Sequence, residues 1–330
     1  MKRRHFLLSA AACTAACASA LRVRAVGAAN AATTANTATT ATSVRVTEQD
    51  WQDSARNCAV PVRIYEPLDA PGALPVILFS HGLGGSRAGG EQWGRLWAAH
   101  GFICVHMQHH GSDEALWKDK NPLQGFAALR RAGSVENGTL RVFDVKFVLD
   151  EITRRKNSGD ALFARADIAH TGMSGHSFGA RTTFGVVAIV PDARIRAAIA
   201  FSPAPEPTEA LTLERMGRIA IPFLNLTGTE DRVPFLTDTT PEERRLPYQA
   251  MPAPDKYLLV LNGADHMVFN GQPAERKWTN QNLIVHAPLI ERASLTFWKA
   301  YLKGDAAAHA ELTQGAFKAA VGTHGEWFAK

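Results

Sequence analysis

Cysteine is scarce in this chain: four of 330 residues, with Cys13 and Cys17 inside an apolar N-terminal leader. Cys58 and Cys104 are left to the body, which leaves room for at most one disulfide. Net charge is lacking too. The sequence as a whole is formally +5, but Lys2, Arg3, Arg4, Arg22 and Arg24 stand in a leader without acids, and the remaining basic residues equal the 31 acidic ones. A formally neutral body argues against nucleic acid or an anionic membrane as partner. No internal repeat and no long interdomain linker divide the later part of the chain. With 46% hydrophobic and 20% charged residues, the composition is that of one large globular α/β domain.

The leader has an order of its own. Lys2-Arg3-Arg4-His5-Phe6-Leu7-Leu8 is followed by an Ala-rich stretch that ends in the small-residue site Ala18-Ser19-Ala20. Basic start, short apolar run and small-residue site predict a signal peptide over 1–26, cleaved after Ala20 or Ala25. The pair Arg3-Arg4 resembles a twin-arginine export signal, which predicts a periplasmic or secreted protein. The run is too short for a comfortable membrane span, so no stable membrane insertion is expected. Cys13 and Cys17 both lack the leucine three residues upstream that marks a lipoprotein site. Cys58 and Cys104 read either as ordinary buried strand residues or, in an exported protein, as one disulfide; folding before export in a reducing compartment favours the first. Residues 27–42, nearly all Ala, Thr, Asn and Gly, bury no core and read as a disordered tether. The fold is therefore expected over 43–330.

Alternation at Val44, Val46 and at Val60, Val62, Ile64 predicts an N-terminal antiparallel hairpin. Leu74 to Phe79 is a continuous apolar run, as in a strand buried on both faces. A helix with Trp93, Leu96 and Trp97 on one face and a second strand from Phe102 to Met107 complete a parallel unit. Residues 111–139 turn irregular and polar, and are expected to form a rim or lid over a pocket. A helical stripe over 140–155, further strands at 166–173, 197–201, 219–226 and 256–261, a capping box at Thr240-Pro241-Glu242-Glu243 with a helix to about Met251, and helical segments over 280–303 and 305–330 finish the chain. The fold class implied is α/β: a mostly parallel central sheet with helices on both faces and an antiparallel hairpin in front.

Within this pattern, Gly175-His176-Ser177-Phe178-Gly179 stands between an apolar strand and a helix. Strand, sharp turn and helix make it a nucleophile elbow, with Ser177 at the tip and the glycines where a Cβ would strike backbone. A serine hydroxyl needs a base within reach. The loop after the last strand supplies His266, and the loop after the strand before it supplies Asp231 to hold the imidazole. Glu230 is the neighbour that would displace Asp231, and Asp265 reads as a loop-turn carboxylate. Two oxyanion donors are expected, the N–H groups of Phe178 and of Leu83 in the glycine-rich run Ser80-His81-Gly82-Leu83-Gly84-Gly85. Gly82 and Trp117 are the expected substrate contacts. His81 is expected to be a structural hydrogen-bonding residue.

Ser80 to Gly85, Gln108-His109-His110-Gly111-Ser112-Asp113, the 144–151 helix and the elbow together resemble the α/β-hydrolase serine esterases grouped with platelet-activating-factor acetylhydrolases and predicted dienelactone hydrolases. The resemblance spans about residues 60–270. It implies the α/β-hydrolase fold, an acyl-serine mechanism without cofactor or metal, and a small-molecule or lipid-like ester as substrate; it does not give the oligomeric state. The chain departs from it twice: dienelactone hydrolases use cysteine where Ser177 stands, and Phe201-Ser202-Pro203-Ala204 has no carboxylate where the acetylhydrolases carry their acid. The rival readings are an acyltransferase using the same acyl-Ser177, a non-catalytic binding protein on this scaffold, and a metal held by His106, His109 and His110. Lys118, Lys120, Arg130 and Arg131 in the lid read as solvated charges.

Overall fold

A computed structural model describes residues 42–271 and 281–330. The expected signal peptide, all but the end of the tether, and residue 280 of the closing helical segment lie outside the described residues. The chain runs β1 (Val44–Asp53), β2 (Cys58–Pro67), β3 (Leu74–Ser80), α1 (Glu91–Ala99), β4 (Ile103–Met107), α2 (Pro122–Ala132), α3 (Val135–Asn157), β5 (Ala166–His176), α4 (Phe178–Phe184), β6 (Ile195–Phe201), α5 (Glu209–Met216), β7 (Phe223–Glu230), α6 (Leu246–Ala250), β8 (Lys256–Asp265), α7 (Gln281–Leu302), α8 (Ala306–Thr313), α9 (Ala316–Val321) and β9 (Gly325–Ala329). The strands form one nine-stranded sheet in the order β1-β2-β4-β3-β5-β6-β7-β8-β9. Strands β4, β3, β5, β6, β7 and β8 are mutually parallel, while β1, β2 and β9 pair antiparallel. This is the expected α/β architecture with its N-terminal hairpin.

Alternation along the buried strands sends consecutive residues to opposite layers. From β3, Ile77 and Phe79 pack with Trp93 and Trp97 of α1 and with Phe297 and Trp298 of α7. Val76 and Leu78 face the other way, onto Val142, Val145, Val148 and Leu149 of α3. Likewise Ala198 and Ala200 of β6 meet Ala180 and Phe184 of α4, where their small size lets the elbow helix lie close to the sheet. Both faces of the sheet are thus covered by helices, and the loops at the carboxyl ends of the parallel strands are left to build a site.

Three expectations need correction. The segment 111–139 is not irregular: α2 starts at Pro122 behind an Asn121 cap that accepts from Gln124 N, and α3 starts at Val135 behind a Ser134 cap. The tail 305–330 is two short helices followed by a strand. Trp327 of β9 stacks on Tyr257 of β8 with ring centroids 5.4 Å apart and meets Phe317 of α9 at 4.5 Å, so pairing with β8 gives this edge segment its extended form. The capping box at Thr240 is present, with Thr240 N donating to Glu243 Oε2 at 2.7 Å and Glu243 N to Thr240 Oγ1 at 3.2 Å. Its helix is broken into a 3-10 turn and the short α6. Cys58 and Cys104 are free thiols on β2 and β4. Among the described residues no helix is long and apolar enough to cross a membrane.

Candidate active site

β5 ends at His176, and Ser177 takes φ 56° and ψ −114°, backbone angles that a side chain other than glycine adopts only under constraint. The constraint is visible on both sides. A Cβ on Gly175 would lie 2.3 Å from Gly179 O, and one on Gly179 would lie 1.9 Å from Ser80 O. Ser177 N donates to Phe201 O on β6 at 2.9 Å, while its own carbonyl accepts from Ala180 N and Arg181 N. The hydroxyl is thereby presented, half-buried, at the start of α4.

The next two groups arrive together because β7 and β8 pair up to their last residues. Glu230 sits opposite Asp265 beyond a bulge at Gly228, whose Cβ would strike Ala264 O at 2.1 Å. Asp231 and His266 therefore leave the sheet side by side, and His266 Nδ1 lies 2.7 Å from Asp231 Oδ1. Asp231 is fully buried. Its carboxylate also receives Ser202 Oγ at 2.5 Å and Thr227 Oγ1 at 2.8 Å, and Arg244 Nε lies 3.0 Å from Oδ1. Burial pushes the Asp231 carboxyl up, but the His266 hydrogen bond and charge, Arg244 and Ser202 outweigh it and hold the pKa below the ordinary value. Glu230 is exposed. The carboxylate of Asp265 accepts from Met267 N and Val268 N, a turn-capping role.

The His266 ring makes its hydrogen bonds on Nδ1, which Ser202 Oγ also approaches to 2.7 Å. Among the described residues Nε2 makes no hydrogen bond. Backbone contact ties the histidine to the nucleophile: His266 O accepts from Nε2 of His176, the residue before Ser177, at 3.0 Å. Among the described residues no hydrogen bond joins Ser177 to His266; in ligand-free enzymes such bonds are often long and tighten on substrate.

Gly82 lies against the nucleophile, since a Cβ there would be 3.5 Å from Ser177 Cβ. Its carbonyl accepts from His81 Nδ1 at 2.6 Å and from Gly85 N at 3.1 Å. His81 Nε2 in turn accepts from His109 N at 3.1 Å, so both ring nitrogens are spent on backbone. Burial, then the nearby Arg141 and His109, push the His81 pKa well below its ordinary value and keep the ring neutral. The main-chain N–H groups of Leu83 and Phe178 have no partner among the described residues. The 111–139 segment folds over this loop: Gly84 N donates to Ser112 O, Glu114 N to Gly85 O, and Trp117 Nε1 to Gly84 O at 2.7 Å. Trp117 stays 47% exposed at the rim. Lys118, Lys120, Arg130 and Arg131 are exposed.

The three histidines once considered for a metal point to separate partners. His106 Nδ1 donates to Gly89 O between the rings of Phe79 and Tyr65, His109 bridges Ser80 Oγ and Asp144, and His110 lies 3.4 Å from Asp113. Among the described residues no group of three or more His, Cys, Asp or Glu is placed to hold a metal ion.

Residues 37–120 match the family model described as platelet-activating factor acetylhydrolase, isoform II. The chain has the α/β-hydrolase fold and resembles that family over the matched residues. The matched part carries β1 to β4 and the glycine-rich loop at Gly82, and supports an ester hydrolase of the serine type in general. No curated protein matches the chain. Two residues around Asp231, Ser202 and Arg244, were not picked out in the sequence. Arg244 carried no readable signal, lying thirteen residues past the acid in the 3-10 turn behind the capping box. Ser202 did have one, since it ends the strand next to the elbow, where the side chains of a parallel sheet's carboxyl edge converge.

Proposed function

We propose that the chain is an exported serine carboxylic-ester hydrolase that works through an acyl-Ser177 intermediate. His266 takes the Ser177 proton as the hydroxyl attacks the ester carbonyl, and returns it to the departing alcohol. Asp231 holds the Nδ1–H tautomer and stabilises the imidazolium. The N–H groups of Leu83 and Phe178 receive the oxyanion, Gly82 gives the substrate close access to backbone, and Trp117 borders the acyl or alcohol group. Water on the same His266 then releases the acid. No step needs a cofactor. The observation that carries the reading is the buried Asp231–His266 pair of 2.7 Å, anchored beside a serine held at φ 56°. The twin-arginine-like leader is what supports export, to the periplasm or outside the cell.

The test is intact mass after a fluorophosphonate probe, with turnover of p-nitrophenyl esters from acetyl upward. One adduct on Ser177 with ester turnover is expected, and Ser177→Ala and His266→Ala should each remove activity by several orders of magnitude in folded protein. An acyl group captured by added alcohol faster than by water would make the protein an acyltransferase. No adduct and no turnover would leave a binding protein on a hydrolase scaffold.

A further inference from the structure

The charge closest to the oxyanion loop has no part in the chemistry above. Arg141 of α3 is 1% exposed, and no carboxylate among the described residues lies within ion-pair distance of it. Burial lowers its pKa to about 9, against the opposing charges of Asp144 and Asp113, so it remains a guanidinium at neutral pH. An unpaired buried cation is costly unless its donors are satisfied. Here they are spent on the Ser80–Gly82 loop and on Ser112 of the segment after β4. Nη1 donates to His81 O at 2.6 Å and approaches Ser80 Oγ at 3.4 Å; Nη2 reaches Gly82 O at 3.4 Å and Ser112 O at 3.3 Å; Nε donates to Ser112 Oγ at 2.8 Å. The flat face of the guanidinium lies 4.4 Å from the centroid of the Phe178 ring.

We propose that Arg141 is the positioning residue of the oxyanion hole, holding both of its donors at once; this rests on the hydrolase reading above. The peptide joining Gly82 to Leu83 is planar, so the Gly82 carbonyl and the Leu83 N–H point in opposite directions. Arg141 Nη2, His81 Nδ1 and Gly85 N together hold that carbonyl away from the nucleophile, and the Leu83 N–H is turned toward Ser177. Stacking on Phe178 fixes the residue that supplies the second N–H. One turn further along the same helix face, Asp144 holds His109 at 2.8 Å, and His109 holds Ser80 at 2.9 Å. The helix thus grips the loop at its strand end and at its donor. Ser80, His109 and Asp144 have the connectivity of a second triad, but all three are buried and serve the loop instead.

The experiment compares wild type with Arg141→Met and Arg141→Lys, each checked for folding by thermal melt. It reads kcat and KM on a short p-nitrophenyl ester, and the affinity for an alkyl boronic acid, whose tetrahedral adduct carries the oxyanion charge. Loss of an aligned donor costs roughly 10²-fold or more in kcat. The expected result is therefore about a hundredfold fall in kcat for Arg141→Met, KM within about threefold, a parallel fall in boronate affinity, and partial recovery in Arg141→Lys. Folded variants with wild-type kcat, or with lowered kcat and unchanged boronate affinity, would overturn the proposal. If both variants fail to fold, Ser112→Ala removes the Nε partner together with the hydroxyl's own bond to His109 O at 3.2 Å, and leaves the Nη bonds in place; a severalfold loss in kcat and boronate affinity together supports the proposal, and no loss rejects it. A wild type that neither labels at Ser177 nor turns over ester would instead sink the hydrolase reading itself.

Discussion

Asp231 is held by more partners than an imidazole alone provides, and one of them is a residue under strain. Ser202 has φ 55°, nearly the value of Ser177, and the two serines end neighbouring strands. The Ser202 hydroxyl donates to Asp231 Oδ2, and its oxygen stands 2.7 Å from His266 Nδ1, so the imidazole N–H is shared between carboxylate and hydroxyl. Hydrogen bonds to a charged group contribute about 1.5–3 kcal/mol. Ser202→Ala is therefore expected to lower kcat by roughly 10- to 100-fold with little change in KM, as steady-state kinetics will show. Asp231→Asn removes the acceptor itself and reverses the tautomer preference, with a loss of about 10⁴-fold expected from the triad precedent. Glu230→Gln is expected to leave kcat near wild type, because that carboxylate faces solvent; a large loss there would move the acid by one residue. The order serine, acid, histidine along the chain made Asp231 legible in the sequence. Ser202 was legible in its place beside the elbow and as a missing carboxylate, but its role was not, since a hydroxyl's role depends on neighbours that the fold brings in from β7 and β8.

Among the elements, the elbow leaves the least freedom. The Gly179 contact of 1.9 Å is with backbone, which no rotamer change relieves. Gly179→Ala is expected to drive α4 from β3, dismantling Ser177 and Ser80 together, and to give insoluble or strongly destabilised protein in a melting experiment. Overpacking ordinarily costs about 1–3 kcal/mol, and a rigid backbone partner puts this case above that range. Such sites are legible because the geometry admits no other residue. The buried strands were legible for a related reason, each being a short apolar run between turn residues. β9 was not: Gly325–Ala329 places one large residue, Trp327, inward, and one inward residue makes no period. α2 escaped because Leu123 and most of its face are exposed, although Asn121-Pro122 is a good helix start.

The molecule as a whole carries four buried histidines around the ends of β3, β4 and β5: His81, His106, His109 and His176. Burial is the main cause in every case of a lowered pKa, to about 3 for His106 and His176, to about 4 for His109 and well below 6.5 for His81. In the unfolded chain each returns to about 6.5. Between these values the unfolded state binds more protons than the folded one, so stability is full above pH ~6.5 and falls as the pH drops toward ~4. Each ring contributes on the order of 1.4 kcal/mol per pH unit in that window. Asp231 acts lower down: its depressed pKa is a stabilising term present above pH ~4 and lost only beneath it. Calorimetry from about pH 7 to about pH 5 is therefore expected to show Tm falling by on the order of 10 °C. A flat Tm over that range would mean that these rings take up protons in the folded state. The hydrogen bonds that now fix the oxyanion loop through His81 and His109 would then have to be redrawn, since a protonated His81 has no acceptor to offer the His109 N–H.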